Sequence, residues 1–167
     1  QNRSIWTGYL NTLFYVVAGT LTGVLATAVA AFVFSRRSFL PANFCMLVVS
    51  FTMLFNGGLI PTYILVDSLG LINTRLSLIL PTAINVFNLI VLKTAFQGIP
   101  DSLEESAKLD GAGDLYILFH IYLPLARATV AVIVLFVAVF HWNSWFQASI
   151  YLNKRELYPL QIILQEF

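Results

Sequence analysis

Four stretches of this chain carry no formal charge: residues 4–35, 38–66, 76–92 and 128–153. Each is near or above the roughly 20 residues that a helix needs to cross the hydrocarbon of a bilayer. Apolar runs of that length do not follow one another inside a water-soluble domain of 167 residues. The chain is therefore expected to be all-α, a polytopic membrane helical bundle of about four spanning helices. Composition agrees, with 59% hydrophobic residues, 10% charged residues and a mean hydropathy of +0.83. A net charge of +1 gives no reason to expect nucleic acid as a partner. Cys45, the single cysteine, sits in an apolar run, so no disulfide forms within the chain and the residue reads as a small buried hydrophobe.

The expected spans are about 10–34, 41–66, 76–97 and 126–147. The first carries Gly19 and Gly23, continued by Thr27 and Ala31 at four-residue spacing, a small-residue stripe that admits a closely packed helix. Gly19, Gly23 and Ala31 are expected to face partners outside this chain. Arg36 and Arg37 follow at once and favour the cytoplasmic side, which puts residue 1 outside. The second span is expected to break at Asn56-Gly57-Gly58, with 59–71 too rich in Gly and Pro to be regular throughout. Asp67 to Arg75 reads as an external loop. Asn73 is expected to start the third span, Pro81 to interrupt it, and Lys93 to snorkel to the inner face. The absence of an initiating methionine, and an ending in an amphipathic stretch, read as a fragment of a longer membrane protein.

Six of the seventeen formally charged residues fall in DSLEESAKLDGAGD, residues 101–114, on the side this topology makes cytoplasmic. Pro100 ends the third helix, Ser102 with Glu105 has the spacing of a capping box, and Gly111 and Gly113 stop the helix so begun. Asp114 is expected to cap a second short helix through about Tyr122, apolar on one side, before Pro124 redirects the chain into the membrane. Spacing alone leaves open whether this helix-turn-helix is a solvated connector or a docking element.

Glu105-Ser106-Ala107, then Gly111 six positions after the Glu, Ile121, and Leu123-Pro124 resemble the EAA loop of permease subunits in binding-protein-dependent ABC importers. Asp110-Gly111-Ala112 and Ile99-Pro100 resemble the carbohydrate-uptake, maltose-type branch, and the region from Asn56 to Asn88 is similar to its oligosaccharide and polysaccharide importers. Ser106 stands where the second Ala is usual, and Ala128 where many relatives have a second Pro. The resemblance covers essentially the whole chain, as helices two to five of six. It implies that loop 100–124 sits in a cleft of a separate ATPase subunit and transmits its closure to the membrane helices. Glu105 would pair with a basic group there, with Ser106, Ala107, Asp110, Gly111, Ala112 and Pro124 shaping the contact. It also implies a second permease subunit, forming a heterodimer, two ATPase subunits, an extracytoplasmic solute-binding protein, a carbohydrate substrate and a place in the bacterial plasma membrane. ATP and magnesium would be bound in the ATPase, with no cofactor and no catalytic residue in this chain. No G-x-x-x-x-G-K-[ST] phosphate loop is present.

For the substrate pathway the candidates are Asn85, Asn88, Trp142, Asn143 and Trp145. Asn85 and Asn88 share a face toward the middle of the third span, where amides serve either to bond helices or to bind sugar. Trp142, Asn143 and Trp145 offer an amide beside flat aromatic faces, which suits a sugar, but tryptophan near a helix end also anchors at the membrane interface. His120 and His141 have no acidic or Cys partner at ligand spacing, so no metal site is expected. A non-sugar importer would more naturally place cations in the spans, a membrane-embedded enzyme would need Asp, His, Glu or Ser clustered at depth, and a passive anchor would not need the structured segment 105–124.

Overall fold

The computed structural model describes residues 2–36, 41–55 and 57–165, with side chains from residue 4 onward. Arg37 and Asn56, named above, lie outside the described residues. Among those described, every regular element is helical. Helix α1 (Asn2–Ser35) is unbroken, and among the described residues it is the one helix that by itself is long and apolar enough to span a membrane. Then come α2 (Ala42–Leu54), α3 (Leu59–Ser68), α4 (Leu76–Ile79) with a 3₁₀ turn at Leu80–Thr82, and α5 (Val86–Gln97). After these, α6 (Asp101–Leu109) and α7 (Asp114–Ile117) lead into a π-helical turn at Leu118–Tyr122. The chain ends in α8 (Leu123–Leu125), α9 (Arg127–Trp142), α10 (Trp145–Tyr151), a 3₁₀ turn at Arg155–Leu157 and α11 (Leu160–Gln165). The pairs α2 with α3, α4 with α5, and α7–α8 with α9 reach the length of a span only as broken helices.

Breaks follow backbone chemistry. Gly58 at φ +89° separates α2 from α3, and Leu59–Ser68 is regular helix where the sequence reading expected irregularity. Pro81 sits in the 3₁₀ turn, as a residue without an N–H does at a helix start, and the chain re-enters helix at Val86 behind Asn85. Pro124 does not redirect the chain. It occupies the start of α8, and the 90° turn comes two residues later at Ala126. A proline leaves the carbonyl four residues back without its donor, and the π-helical turn at Leu118–Tyr122 falls just there. Helix α9 ends at Trp142, not near 147, and Ser144 bonds back to the His141 carbonyl before α10 begins.

The chain divides into two compact units. The first holds residues 1–23, 57–83 and 134–167. Its core joins Tyr15, Val66, Leu78, Ala148, Tyr151 and Leu152. The polar side chains of α1 here serve the backbone that leads into α11. Asn11 Nδ2 donates to the carbonyls of Glu156 at 2.7 Å and Tyr158 at 3.1 Å, Tyr15 Oη donates to Leu157 O at 2.9 Å, and Thr12 Oγ1 accepts from Leu160 N at 2.9 Å. Asn73 does not start a helix. It adopts φ +61°, its N–H donates to Tyr151 O at 2.9 Å, and its side-chain oxygen accepts from Asn153 N. Gly19 and Gly23 are buried against this chain itself: a β-carbon at Gly19 would overlap the His141 ring, and one at Gly23 would press on Ala83 O and Val137. Thr27 and Ala31 are buried as well, so the stripe is used internally and does not wait for an outside partner.

The second unit holds residues 24–56 and 84–133. Its buried side chains include Phe32 of α1, Met46 of α2, Leu89, Leu92 and Phe96 of α5, and Ile117, Leu118 and Tyr122. It carries the charge-rich segment.

Candidate functional site

Helix α5 ends at Gly98, and Pro100, with φ −60° and ψ 131°, turns the chain into α6. Neither Ser102 nor Glu105 caps that helix. Pro100 holds the cap position without a side-chain bond, and Ser102 lies one residue inside α6. Asp101 and Glu104 in the first turn and Lys108 in the last instead match the helix dipole. The far end is closed by backbone alone: Ala112 N donates to Ala107 O at 2.9 Å, Gly111 N to Lys108 O at 3.0 Å, and Gly111 adopts φ +82°. This is the Schellman arrangement, in which glycine takes the left-handed position without a β-carbon clash. Asp114 is the first residue of α7 rather than its cap, which is Gly113.

What holds this helix-turn-helix in place is a set of side chains that the sequence reading did not bring together. Arg36, one residue beyond α1, lies with its guanidinium 3.0 Å from Glu104 Oε1 and 2.7 Å from Asp114 Oδ1, and 4.2 Å over the Phe32 ring. Its side chain is 13% exposed and that of Glu104 14%, so the pair is largely withdrawn from water. Lys108 Nζ reaches Glu104 Oε1 at 2.6 Å and Tyr122 Oη donates to Glu104 Oε2 at 2.7 Å. The Tyr122 ring in turn meets Phe32 and Phe96 edge to face, with centroids 4.9 and 5.3 Å away. Burial pushes the Glu104 carboxyl up, but bonds from Lys108 and Tyr122 and the charge of Arg36 outweigh it and hold it below the ordinary 4.5. The Arg36 hydrogen bond likewise lowers Asp114. Burial, and then Glu104, drive the Tyr122 phenol well above its usual range.

The sequence-predicted residues make none of these bonds, although Glu105 lies beside them. Glu105 and Ser106 are exposed on α6. Ala107, Asp110, Gly111 and Ala112 come together around a hollow of about 590 Å³ that Tyr116 and His120 complete. Pro124 is exposed on α8 and does not take part in that hollow. Glu105 instead borders a second hollow of about 430 Å³ that also includes Arg36, Gln97 and Asp101. Of the pathway candidates, Asn85 caps α5 by accepting from Asn88 N at 3.2 Å, and Asn88 is 6% exposed. Trp142 and Trp145 are exposed, and Asn143 Nδ2 donates to Val139 O at 2.9 Å. The two asparagines Asn85 and Asn88 belong to the second unit, and Trp142, Asn143 and Trp145 to the first. Among the described residues, no group of three or more His, Cys, Asp or Glu is placed to hold a metal ion.

Glu104 was legible as the partner of Lys108 four residues on, a favourable order on a helix. Arg36 was read as a marker of sidedness, and nothing local pointed to Tyr122.

Residues 19–162 match the family of binding-protein-dependent transport system inner membrane components. The chain belongs to this family. It is an inner-membrane protein with the all-helical permease fold. It is 48% identical over 162 residues to the polygalacturonan/rhamnogalacturonan transport system permease protein YtcP of Bacillus subtilis, an alignment covering 97% of this chain and 57% of that protein. It is 44% identical over 154 residues to protein LplC of the same organism, covering 92% and 52%. A crystal structure of a bacterial ABC transporter involved in the import of the acidic polysaccharide alginate contains a chain that superposes with a TM-score of 0.94 at 37% identity, covering 98% of this chain and 58% of that one. The family member described here thus spans a little over half the length of the curated relatives it matches.

Proposed function

We propose that this chain forms part of the translocation pathway of an ATP-driven importer of oligosaccharides derived from polysaccharide, and that α6 and the turn after it are its coupling element toward a separate ATPase. The observation that carries this reading is a rigidly closed, outward-facing helix end in a chain of this family: Glu105, Leu109 and Asp110 are exposed, Leu109 to 89%, on a helix whose termination is locked by the Gly111 turn. An apolar side chain so open beside two free carboxylates suits a cleft with an apolar floor and a cationic rim. On this reading α6 lies on the cytoplasmic face, and the partners are a second permease subunit, two ATPase subunits holding ATP and magnesium, and an external solute-binding protein. The solute class rests on the names of the relatives and of the structural neighbour. Asn88, Trp142 and Trp145 are the proposed pathway residues, and Asn85 supports the pathway by capping α5.

The test is co-purification of the full-length protein with its partner subunits in nanodiscs, comparing the native protein with Glu105→Ala. The expected result is loss of the ATPase, or of hydrolysis stimulated by the solute-binding protein loaded with a short oligogalacturonide. Full assembly and full stimulation in Glu105→Ala would overturn the docking role. Stimulation by a neutral oligosaccharide and not by the uronate would move the solute class instead.

A further inference from the structure

Two adjacent glutamates on α6 do opposite things. Successive residues on a helix are rotated by about 100°, so Glu104 and Glu105 point in different directions although both border the same hollow. Glu105 is exposed, whereas both carboxylate oxygens of Glu104 are used inside the unit, Oε1 by Arg36 and Lys108 and Oε2 by Tyr122. Arg36 completes the arrangement by taking Asp114, 78 residues away, with the same Nη2 that meets Glu104. The Pro100 cap position of α6 makes no side-chain bond, and these contacts tie the helix to the rest of the unit. They reach three elements: α1 through Arg36 and Phe32, α5 through Phe96, and the π-helical turn through Tyr122.

We propose that Arg36, Glu104 and Tyr122 form a clasp that makes α6 move as one body with the adjoining ends of α1 and α5, so that these three are positioning residues for transmission while Glu105 is left free for the partner. The inference rests on the coupling role proposed above for α6. A hinge-like connector would need none of these long-range contacts, and a helix only meant to stay soluble would turn Glu104 to water. Withdrawing a charge pair from water is costly unless every oxygen is met, and here all three cationic or hydroxyl donors converge on one carboxylate. Lys108 lies on α6 itself, but Arg36 follows α1 and Tyr122 lies in the π-helical turn, so a push on α6 has to displace those elements or break charge-assisted bonds, and α5 is engaged through the Tyr122–Phe96 ring contact. The edge-to-face cluster of Phe32, Tyr122 and Phe96 beside the carboxylate resists compression, since close-packed side chains transmit strain rather than absorb it.

The test uses the full-length protein in its complex with partner permease and ATPase, read by amide hydrogen exchange with and without ATP plus vanadate. In the native complex, nucleotide is expected to change exchange in residues 101–109 and also in 24–36 and 86–97. In Arg36→Gln the ATPase is expected to remain at native stoichiometry and the 101–109 response to persist, while the response in 24–36 and 86–97 disappears. Arg36→Lys, which keeps a cation, should restore it in part. Should Arg36→Gln fail to assemble, Tyr122→Phe carries the same comparison, because it keeps the ring between Phe32 and Phe96 and removes only the hydroxyl on Glu104. A response in 24–36 that survives either substitution overturns the clasp as a transmission device, and so does loss of the ATPase from both variants, which would make these residues part of docking. If the native protein binds no ATPase, the coupling reading fails by itself, and the clasp is then judged on the isolated full-length protein. There, Arg36→Gln should raise exchange across 101–125 by about tenfold, the scale of one lost charge-assisted bond. Unchanged exchange would refute it.

Discussion

At the scale of single residues, Glu104 predicts a pH dependence with a definite sign. Its carboxyl is held below the ordinary 4.5, so it stabilises the fold above that value and loses the contribution as pH falls through its lowered folded value. The unfolding midpoint of the full-length protein in detergent should therefore be lower for Glu104→Gln at neutral pH, by the equivalent of about 1.5–3 kcal/mol. The gap should close below about pH 4.5, and a gap that persists in acid would show that packing, not charge, is what the substitution removes. A second residue-scale expectation concerns Gly19, whose missing β-carbon leaves room for the buried His141 ring. Gly19→Ala should cost about 1–3 kcal/mol by overpacking. Combined with His141→Ala it should cost less than the sum of the two, because both report on one contact. Strict additivity in that cycle would contradict the fit. The four-residue spacing of small residues was readable before any coordinates, but spacing says only that something packs closely. Whether the something was His141 or another subunit required the fold.

At the scale of elements, the clearest case is how α6 ends. Two glycines, Gly111 and Gly113, looked equivalent in the sequence, but only Gly111 has a positive φ, while Gly113 sits at φ −76° with open space around it. Gly111→Ala should destabilise the segment by about 1–2 kcal/mol, the cost of forcing a side chain into the left-handed region. Gly113→Ala should be near neutral. Limited proteolysis across 109–114 reads the difference, and equal sensitivity in the two variants would remove the helix-end argument. Asn85 gives a parallel contrast on α5. Replacement by Ala should cost about 1 kcal/mol and replacement by Ser much less, because what the position supplies is a side-chain acceptor for Asn88 N. Transport lost in Asn85→Ser with stability intact would instead mark a solute contact. The spacing of Ser102 and Glu105 predicted a capping box that does not form, since the Pro100 geometry already starts the helix two residues earlier and leaves Ser102 inside it.

At the scale of the whole molecule, the proposed sidedness has a direct test. In a Cys45→Ala background, Leu109→Cys should react with a membrane-impermeant maleimide in inverted vesicles, and Asn153→Cys in intact cells; both residues are exposed. The reverse pattern would invert the topology. Long uncharged runs by themselves determined that this chain is a helical membrane protein, because hydrocarbon tolerates no unpaired backbone and helix pairs it within the segment. The spaced identities from Glu105 through Gly111 to Leu123-Pro124 likewise carried the resemblance to the family that the match over residues 19–162 shows. Only the tertiary structure decided which glutamate is inward, that Arg36 and Tyr122 are its partners, and that Asn11, Thr12 and Tyr15 serve a backbone segment more than 140 positions away. Local rules act through neighbours three or four residues apart, whereas these contacts join residues that only the packing of separate helices brings within reach of a hydrogen bond.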